Sequence, residues 1–128
     1  MIARKRPQAL VLNDEPSFGK QIKAMMATLN WDCEVVASPE DALARLQAAQ
    51  FDVVITDYHL SHHLPQANGL HFVSCLRRDG ITLPAIVMSE DEAVLRTVPK
   101  EALNIPAVLL KPFSASELRD ALNVISPV

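Results

Sequence analysis

Residues 53–57, Val53-Val54-Ile55-Thr56-Asp57, decide the fold of this chain. The run opens with three β-branched apolar residues and closes on an acid. A short, near-continuous apolar segment of this kind suits a strand covered on both faces, as strands of a parallel sheet are. Outward from it, the same kind of segment recurs. Ala9-Leu10-Val11-Leu12 and Cys33-Glu34-Val35-Val36 precede it, and Ala85-Ile86-Val87-Met88 and Ala107-Val108-Leu109-Leu110 follow it.

Helical patterns fill the intervals. From Pro16 to Asn30, the residues Phe18, Ile22, Met25, Met26 and Leu29 fall on one stripe. Pro16 suits the first helical position, and Asp14 or Glu15 before it can cap the free amides. Ser38-Pro39-Glu40-Asp41 combines a serine cap, a proline at the first position and acids in the first turn, with Leu43 and Leu46 giving that helix a buried face. Gly69 to Arg78 places Leu70, Val73 and Leu76 at helical spacing and ends before Gly80. Ser114-Ala115-Ser116-Glu117 is a capping box for a last helix with Leu118, Ala121, Leu122 and Ile125 as its stripe. Between the fourth and fifth strands, Asp91 to Val98 reads as a helix that Pro99 interrupts, with a short turn through Leu103. Strand and helix alternating five times predicts an α/β fold: a doubly wound, five-stranded parallel sheet with right-handed crossovers and helices on both faces.

The unusual polar residues then fall in one place. Asn13-Asp14-Glu15 follows the first strand, Asp57 ends the third, Ser89 follows the fourth and Lys111 follows the fifth. In open parallel sheets ligands bind beyond the carboxyl ends of the strands. Asp14 and Asp57 are hard oxygen ligands suited to Mg²⁺. With their repulsion offset, Asp57 can act as a carboxylate nucleophile that forms an acyl phosphate. Lys111 supplies charge and Ser89 a hydroxyl toward phosphoryl oxygens. Singly, each has a plainer reading: Asp14 or Ser89 as a helix cap, Asp57 as the opening of a turn. Lys111, directly after a buried strand, needs a partner for its charge.

Composition sets the frame. The chain has 128 residues, 49% of them apolar, and a formal net charge of −3, which fits one globular domain without a global attraction to nucleic acid. Arg4-Lys5-Arg6 reads as part of a flexible, solvated tail over residues 1–7. Cys33 and Cys75 lie in a strand and a helix among apolar neighbours, as buried thiols of a reducing cytoplasm. No apolar run approaches the roughly 20 residues needed to span a bilayer, and no signal peptide opens the chain, so no membrane role is expected.

Taken together, Leu12-Asn13-Asp14-Glu15-Pro16, Ile55-Thr56-Asp57, Asn68-Gly69-Leu70, Met88-Ser89 and Leu110-Lys111-Pro112-Phe113 resemble the receiver domain of bacterial two-component response regulators, with the 22-residue step from Ser89 to Lys111 among the matching separations. The likeness covers essentially the whole chain. It implies a flavodoxin-like (βα)5 fold with strand order 2-1-3-4-5 and Asp57 as phosphoacceptor. The phosphoryl group would come from phosphohistidine on a sensor histidine kinase or phosphotransfer protein. It implies Mg²⁺ held by Asp14, Asp57 and the backbone carbonyl of His59, with Asn13 reaching it through water. Ser89 and Lys111 would sense the phosphoryl group, Glu90, Asp91 and Val108 would modulate the site, and the Lys111–Pro112 bond would be cis. Downstream it implies a partner protein, a fused output domain or a homodimer, with no direct nucleic-acid contact.

Four departures qualify the likeness. Family members usually carry two acids after the first strand, and Asn13 replaces the first, which predicts weaker Mg²⁺ binding. The loop from Asp57 to Gly69 is about four residues longer than usual and lacks the usual methionine-proline step. Glu90 replaces a small residue and adds charge near the phosphoryl entry path. Val108 stands where many members carry an aromatic switch residue, so coupling from serine to ring cannot operate. Three histidines in the long loop, His59, His62 and His63, read as solvated rather than as a transition-metal site, and His71 as a surface residue. The alternative to a phosphorylatable switch is a pseudo-receiver, an interaction module that keeps the fold without regulated phosphorylation. An aspartyl-phosphate phosphatase would want an acid at position 59, where His59 stands.

Overall fold

The computed structural model describes residues 6–60 and 68–125. Five parallel strands, β1 (Gln8–Leu12), β2 (Asp32–Val36), β3 (Val53–Asp57), β4 (Ala85–Ser89) and β5 (Ala107–Leu110), form one sheet in the order β2-β1-β3-β4-β5. The helices α1 (Pro16–Thr28), α2 (Pro39–Ala48), α3 (Gly69–Arg78), α4 (Glu92–Arg96) and α5 (Ala115–Ile125) alternate with them. The expected doubly wound α/β fold and its 2-1-3-4-5 strand order are both observed.

Alternation along each strand splits the core in two. Ala9, Val11, Val53, Ile55, Ile86, Met88 and Leu109 face α1 and α5, where they meet Ile22, Met26, Leu118 and Leu122. Leu10, Leu12, Val54, Ala85 and Val87 face the other way, toward Ala42 of α2, Phe72, Val73 and Leu76 of α3, and Leu95 of α4. On α2 the fully buried residue is Ala42, while Leu43 and Leu46 are half-buried against the same cluster.

Local chemistry sets the helix ends. Ser38 accepts the Asp41 amide proton at the start of α2, and the capping box before α5 closes in both directions, Glu117 N to Ser114 Oγ and Ser114 N to Glu117 Oε1. Glu15 holds the N-cap position of α1, but its side chain makes no capping bond. That helix stops at Thr28, two residues short of the expected Asn30, because Asn30 turns into the left-handed region at φ 65°. Helix α4 is only five residues long. Asp91 caps it through its own carboxylate, Pro99 lies just beyond it, and the chain turns again before Ile105. Gly80 at φ +82° follows α3, as the sequence predicts. The Lys111–Pro112 bond is cis.

Arg6 and Pro7, which fall within the expected tail, are tied to β2: Arg6 pairs with Asp32 at 3.6 Å and the Pro7 carbonyl accepts the Asp32 amide proton. Glu34 on the same edge strand pairs with Arg45 of α2, whose guanidinium holds the Glu34 carboxyl below its ordinary value. Cys33 and Cys75 are free and half-buried rather than fully buried.

Burial pushes the Cys33 thiol up to about 11, with Lys23 opposing the rise and Glu34 adding to it. Since the thiolate is the nucleophile, Cys33 is expected to alkylate on the order of a hundredfold more slowly at pH 8 than an unperturbed thiol, and to accelerate steeply toward pH 11. Timed iodoacetamide labelling with peptide mapping checks this; a Cys33 rate at pH 8 matching that of glutathione would refute it.

Candidate functional site at the carboxyl edge of the sheet

The parity that builds the core also builds the site. Asn13 continues the face of Ala9 and Val11, Asp57 that of Val53 and Ile55, and Lys111 that of Leu109, so all three emerge on the α1/α5 side of the sheet. They touch. Lys111 Nζ lies 2.8 Å from Asp57 Oδ1, and Asn13 Nδ2 donates to Asp57 Oδ2 at 3.0 Å. The Asp57 and Lys111 side chains are only 14% and 13% exposed, so this ion pair is poorly screened.

Burial lifts the Asp57 carboxyl above its ordinary value. Lys111 opposes the rise by hydrogen bond and charge, Asp14 adds to it, and His59 opposes it weakly. The influence of Asp14 places that second carboxylate in the same electrostatic neighbourhood. A pocket of about 570 Å³, bordered by Asp57, His59, Glu90, Asp91, Glu92 and Lys111, opens the pair to solvent.

Ser89 continues the opposite face, that of Ala85 and Val87. It is buried, its hydroxyl accepts the Asp91 amide proton at 3.0 Å, and its carbonyl accepts the Lys111 amide proton. Its main chain is thus bonded to that of Lys111, while its hydroxyl orders the start of the β4–α4 loop. Glu90 and Asp91 are exposed on the pocket rim. Val108 is half-buried against the α2–α4 side of the core. His59 is exposed, with its ring edge against Tyr58. His62, His63 and most of the long loop lie outside the described residues. Among the described residues, no three His, Cys, Asp or Glu side chains cluster to hold a metal ion. His71 is exposed, as expected.

Two residues that the sequence places only in structural roles belong to the site. Phe18 lies under the ammonium of Lys111, 4.2 Å from nitrogen to ring centroid, and Phe113 braces it edge-on at 6.1 Å. Such a contact adds roughly 0.5–2 kcal/mol and fixes the lysine's direction. Its one signal is that Phe113 lies two residues after Lys111. Gly69, the first residue of α3, packs directly on the Asp57 carbonyl: a Cβ there would sit 2.2 Å from that oxygen. Asn68 before it caps α3 by accepting the His71 amide proton.

A family model described as the response regulator receiver domain matches residues 9–123. The chain is 25% identical over 111 residues to the transcriptional regulatory protein TrcR of Mycobacterium tuberculosis, covering 87% of this chain and 42% of that one. It spans about half the length of the curated relatives it matches. Among solved structures, the receiver domain of Francisella response regulator 1452 superposes with a TM-score of 0.80 at 24% identity, covering 94% of this chain and 97% of that one. TrrA of Thermotoga maritima, solved in complex with Mg(2+)-BeF, superposes with a TM-score of 0.78 at 19% identity, covering 93% and 98%. No helix among the described residues is long and apolar enough to cross a membrane.

Proposed function

The chain belongs to the response regulator receiver domain family, and from that membership we propose that Asp57 is the phosphoacceptor of a two-component phosphorelay. The observation that carries the reading is the buried contact of Asp57 with Lys111 at the carboxyl edge of β3. An oxygen of Asp57 forms a bond to phosphorus as the phosphorus–nitrogen bond of a phosphohistidine breaks. The departing imidazole keeps that electron pair and takes a proton from solvent. Lys111, steered by Phe18, compensates the charge of the transferring oxygens, which is most of what phosphoryl transfer asks of a protein.

The donor chemistry at this edge suits Mg²⁺, because it offers two carboxylates, Asp14 and Asp57, the charge of Asp14 lifts the Asp57 carboxyl, and a hard divalent cation relieves that repulsion. Asp14, Asp57 and the main-chain carbonyl of His59 would hold it. When bound, it would supply positive charge that offsets the negative charge gathered at the site during transfer. Ser89 and Lys111 sense the phosphoryl group, and Glu90, Asp91 and Val108 set how the change is transmitted. The donor is a cytoplasmic histidine kinase or phosphotransfer protein, and phosphorylation shifts the populations seen by a partner protein, a fused output domain or a second copy.

A second reading, an interaction module that is not phosphorylated, draws on Asn13, whose amide holds the acceptor carboxylate. One experiment separates the two. The chain is incubated with a small phosphodonor and Mg²⁺ and weighed intact. An adduct of one phosphoryl group, abolished in Asp57→Asn, is the expected result; its absence at every donor and Mg²⁺ concentration favours the second reading.

A further inference from the structure

We infer that Asn13 competes with the cation for the acceptor carboxylate, holding one oxygen of Asp57 by a hydrogen bond that cation binding weakens or replaces. The inference rests on the reading above that Asp14 and Asp57 take Mg²⁺. It goes beyond the loss of one negative charge, because it concerns what the amide in that position does.

The orientation of the amide is fixed by chemistry. Asn13 is 3% exposed, and its main-chain N–H is bonded to the Val36 carbonyl at 3.0 Å. Its side-chain oxygen accepts the Glu15 amide proton at 2.7 Å. A backbone N–H can only donate, so the oxygen must face Glu15 and the NH₂ must face Asp57. Rotating the amide to present its oxygen to the cleft would set NH₂ against N–H and leave a buried donor unsatisfied.

An NH₂ group offers no lone pair to a cation. A water bound to Mg²⁺ has one lone pair on the metal and acts chiefly as a hydrogen-bond donor, and an NH₂ group cannot accept its proton. Asn13 is therefore neither a direct nor a water-mediated ligand in this arrangement, which removes the expected water-bridged role. What it does is hold Oδ2 while Lys111 holds Oδ1. Each acceptor oxygen carries one donor, and a cation that binds Oδ2 competes with the Asn13 amide for that oxygen's charge and for the space beside it.

The sign of a single substitution separates this from the simpler account. If Asn13 is only a poor replacement for an acid, shortening it leaves Mg²⁺ affinity unchanged or weaker. If it competes, shortening it tightens binding. Asn13→Ser keeps a hydroxyl that can accept the Glu15 amide proton but cannot reach Asp57. Calorimetric Mg²⁺ titration of the full chain at fixed ionic strength is expected to give a dissociation constant about fivefold lower in Asn13→Ser, the scale of one displaced hydrogen bond. Asn13→Asp is expected to bind tighter still. Asn13→Ser binding no better than the parent overturns the inference and leaves the cation reading intact. No Mg²⁺ binding in the parent and in Asn13→Asp, or undiminished binding in Asp57→Asn, overturns the cation reading itself. A readout that needs no folded variant is the ¹⁵N-resolved side-chain amide signal of Asn13 in the parent. It is expected to move with the calorimetric midpoint, and a signal unmoved at saturating Mg²⁺ also overturns the inference.

Discussion

Gly69→Ala is expected to destabilise the fold by about 3 kcal/mol, at the upper end of overpacking costs, and to slow phosphoryl uptake with it. The added Cβ would lie 2.2 Å from the Asp57 carbonyl oxygen and 3.1 Å from both the Asp57 carbonyl carbon and Thr56 Cγ2. The two Asp57 atoms, the oxygen at 2.2 Å above all, are backbone at the end of a buried strand, and they cannot step aside. The Asp57 carbonyl accepts from Thr56 Oγ1, the next amide donates to the Met88 carbonyl at 2.7 Å, and Gly69 N itself donates to the Tyr58 carbonyl at 2.8 Å. Alanine's better helix propensity returns only about 1 kcal/mol. Gly19 supplies the contrast inside α1: the three atoms nearest its Cβ would all belong to the Val35 side chain, Cγ1 at 3.1 Å and the other two at 3.9 Å. A methyl on a half-buried edge strand can yield, so Gly19→Ala is expected to lie within about 1 kcal/mol of the parent. Urea midpoints for the two variants check the pair. Equal midpoints would mean that the start of α3 moves away from β3 freely.

Gly69 also shows where sequence reading stops. The strands were legible because Ala9–Leu12, Val53–Ile55 and Ala85–Met88 are buried on both faces and therefore apolar without interruption. The sheet edge that gathers Asp57 and Lys111 followed from their places at the carboxyl ends of parallel strands. Proline and serine marked α2 and α5 because caps act within a few residues. Contacts between segments distant in the chain were not legible. Nothing in Asn68-Gly69-Leu70 states that the glycine is required by a carbonyl twelve residues earlier, and nothing in Phe18 separates a core residue from one that lies under an ammonium. Asn13 was visible as a departure, but the role of its amide depended on which atom Glu15 claims. Ser89 lies on the sheet's carboxyl edge with Asp57 and Lys111, as expected, yet strand parity gives its side chain to the other face, and its hydroxyl goes to Asp91. In α4 the apolar pattern is outweighed by Pro99 and by the turn that carries the chain to Ile105.

Lys111→Met is expected to slow phosphoryl uptake by at least about a hundredfold, the usual cost of losing one charge-stabilising donor at a transition state, and to change stability in a pH-dependent way. In the parent, burial already holds the Asp57 carboxyl above its ordinary value, with Lys111 pulling it down. Removing the ammonium raises it further. A carboxyl whose folded value lies above its unfolded value contributes stability that is fully present below the unfolded value, about 3.9, and lost as pH rises through the folded value. The variant should therefore nearly match the parent near pH 3.5. It should fall behind as the acid ionises and trail by about 1–3 kcal/mol at pH 7, where a carboxylate left with the Asn13 amide but no countercharge sits in a site 14% exposed. Asp57→Asn in the same background should recover most of that difference, because it removes the stranded charge, and the double-mutant cycle should give a coupling of similar size. Methionine preserves most of the apolar stem that lies along Phe18. A loss of equal size at pH 3.5 and pH 7 would assign the effect of Lys111 to packing on that ring instead of to its charge, and the site would then lack the electrostatic pairing on which the proposed phosphoryl transfer at Asp57 rests.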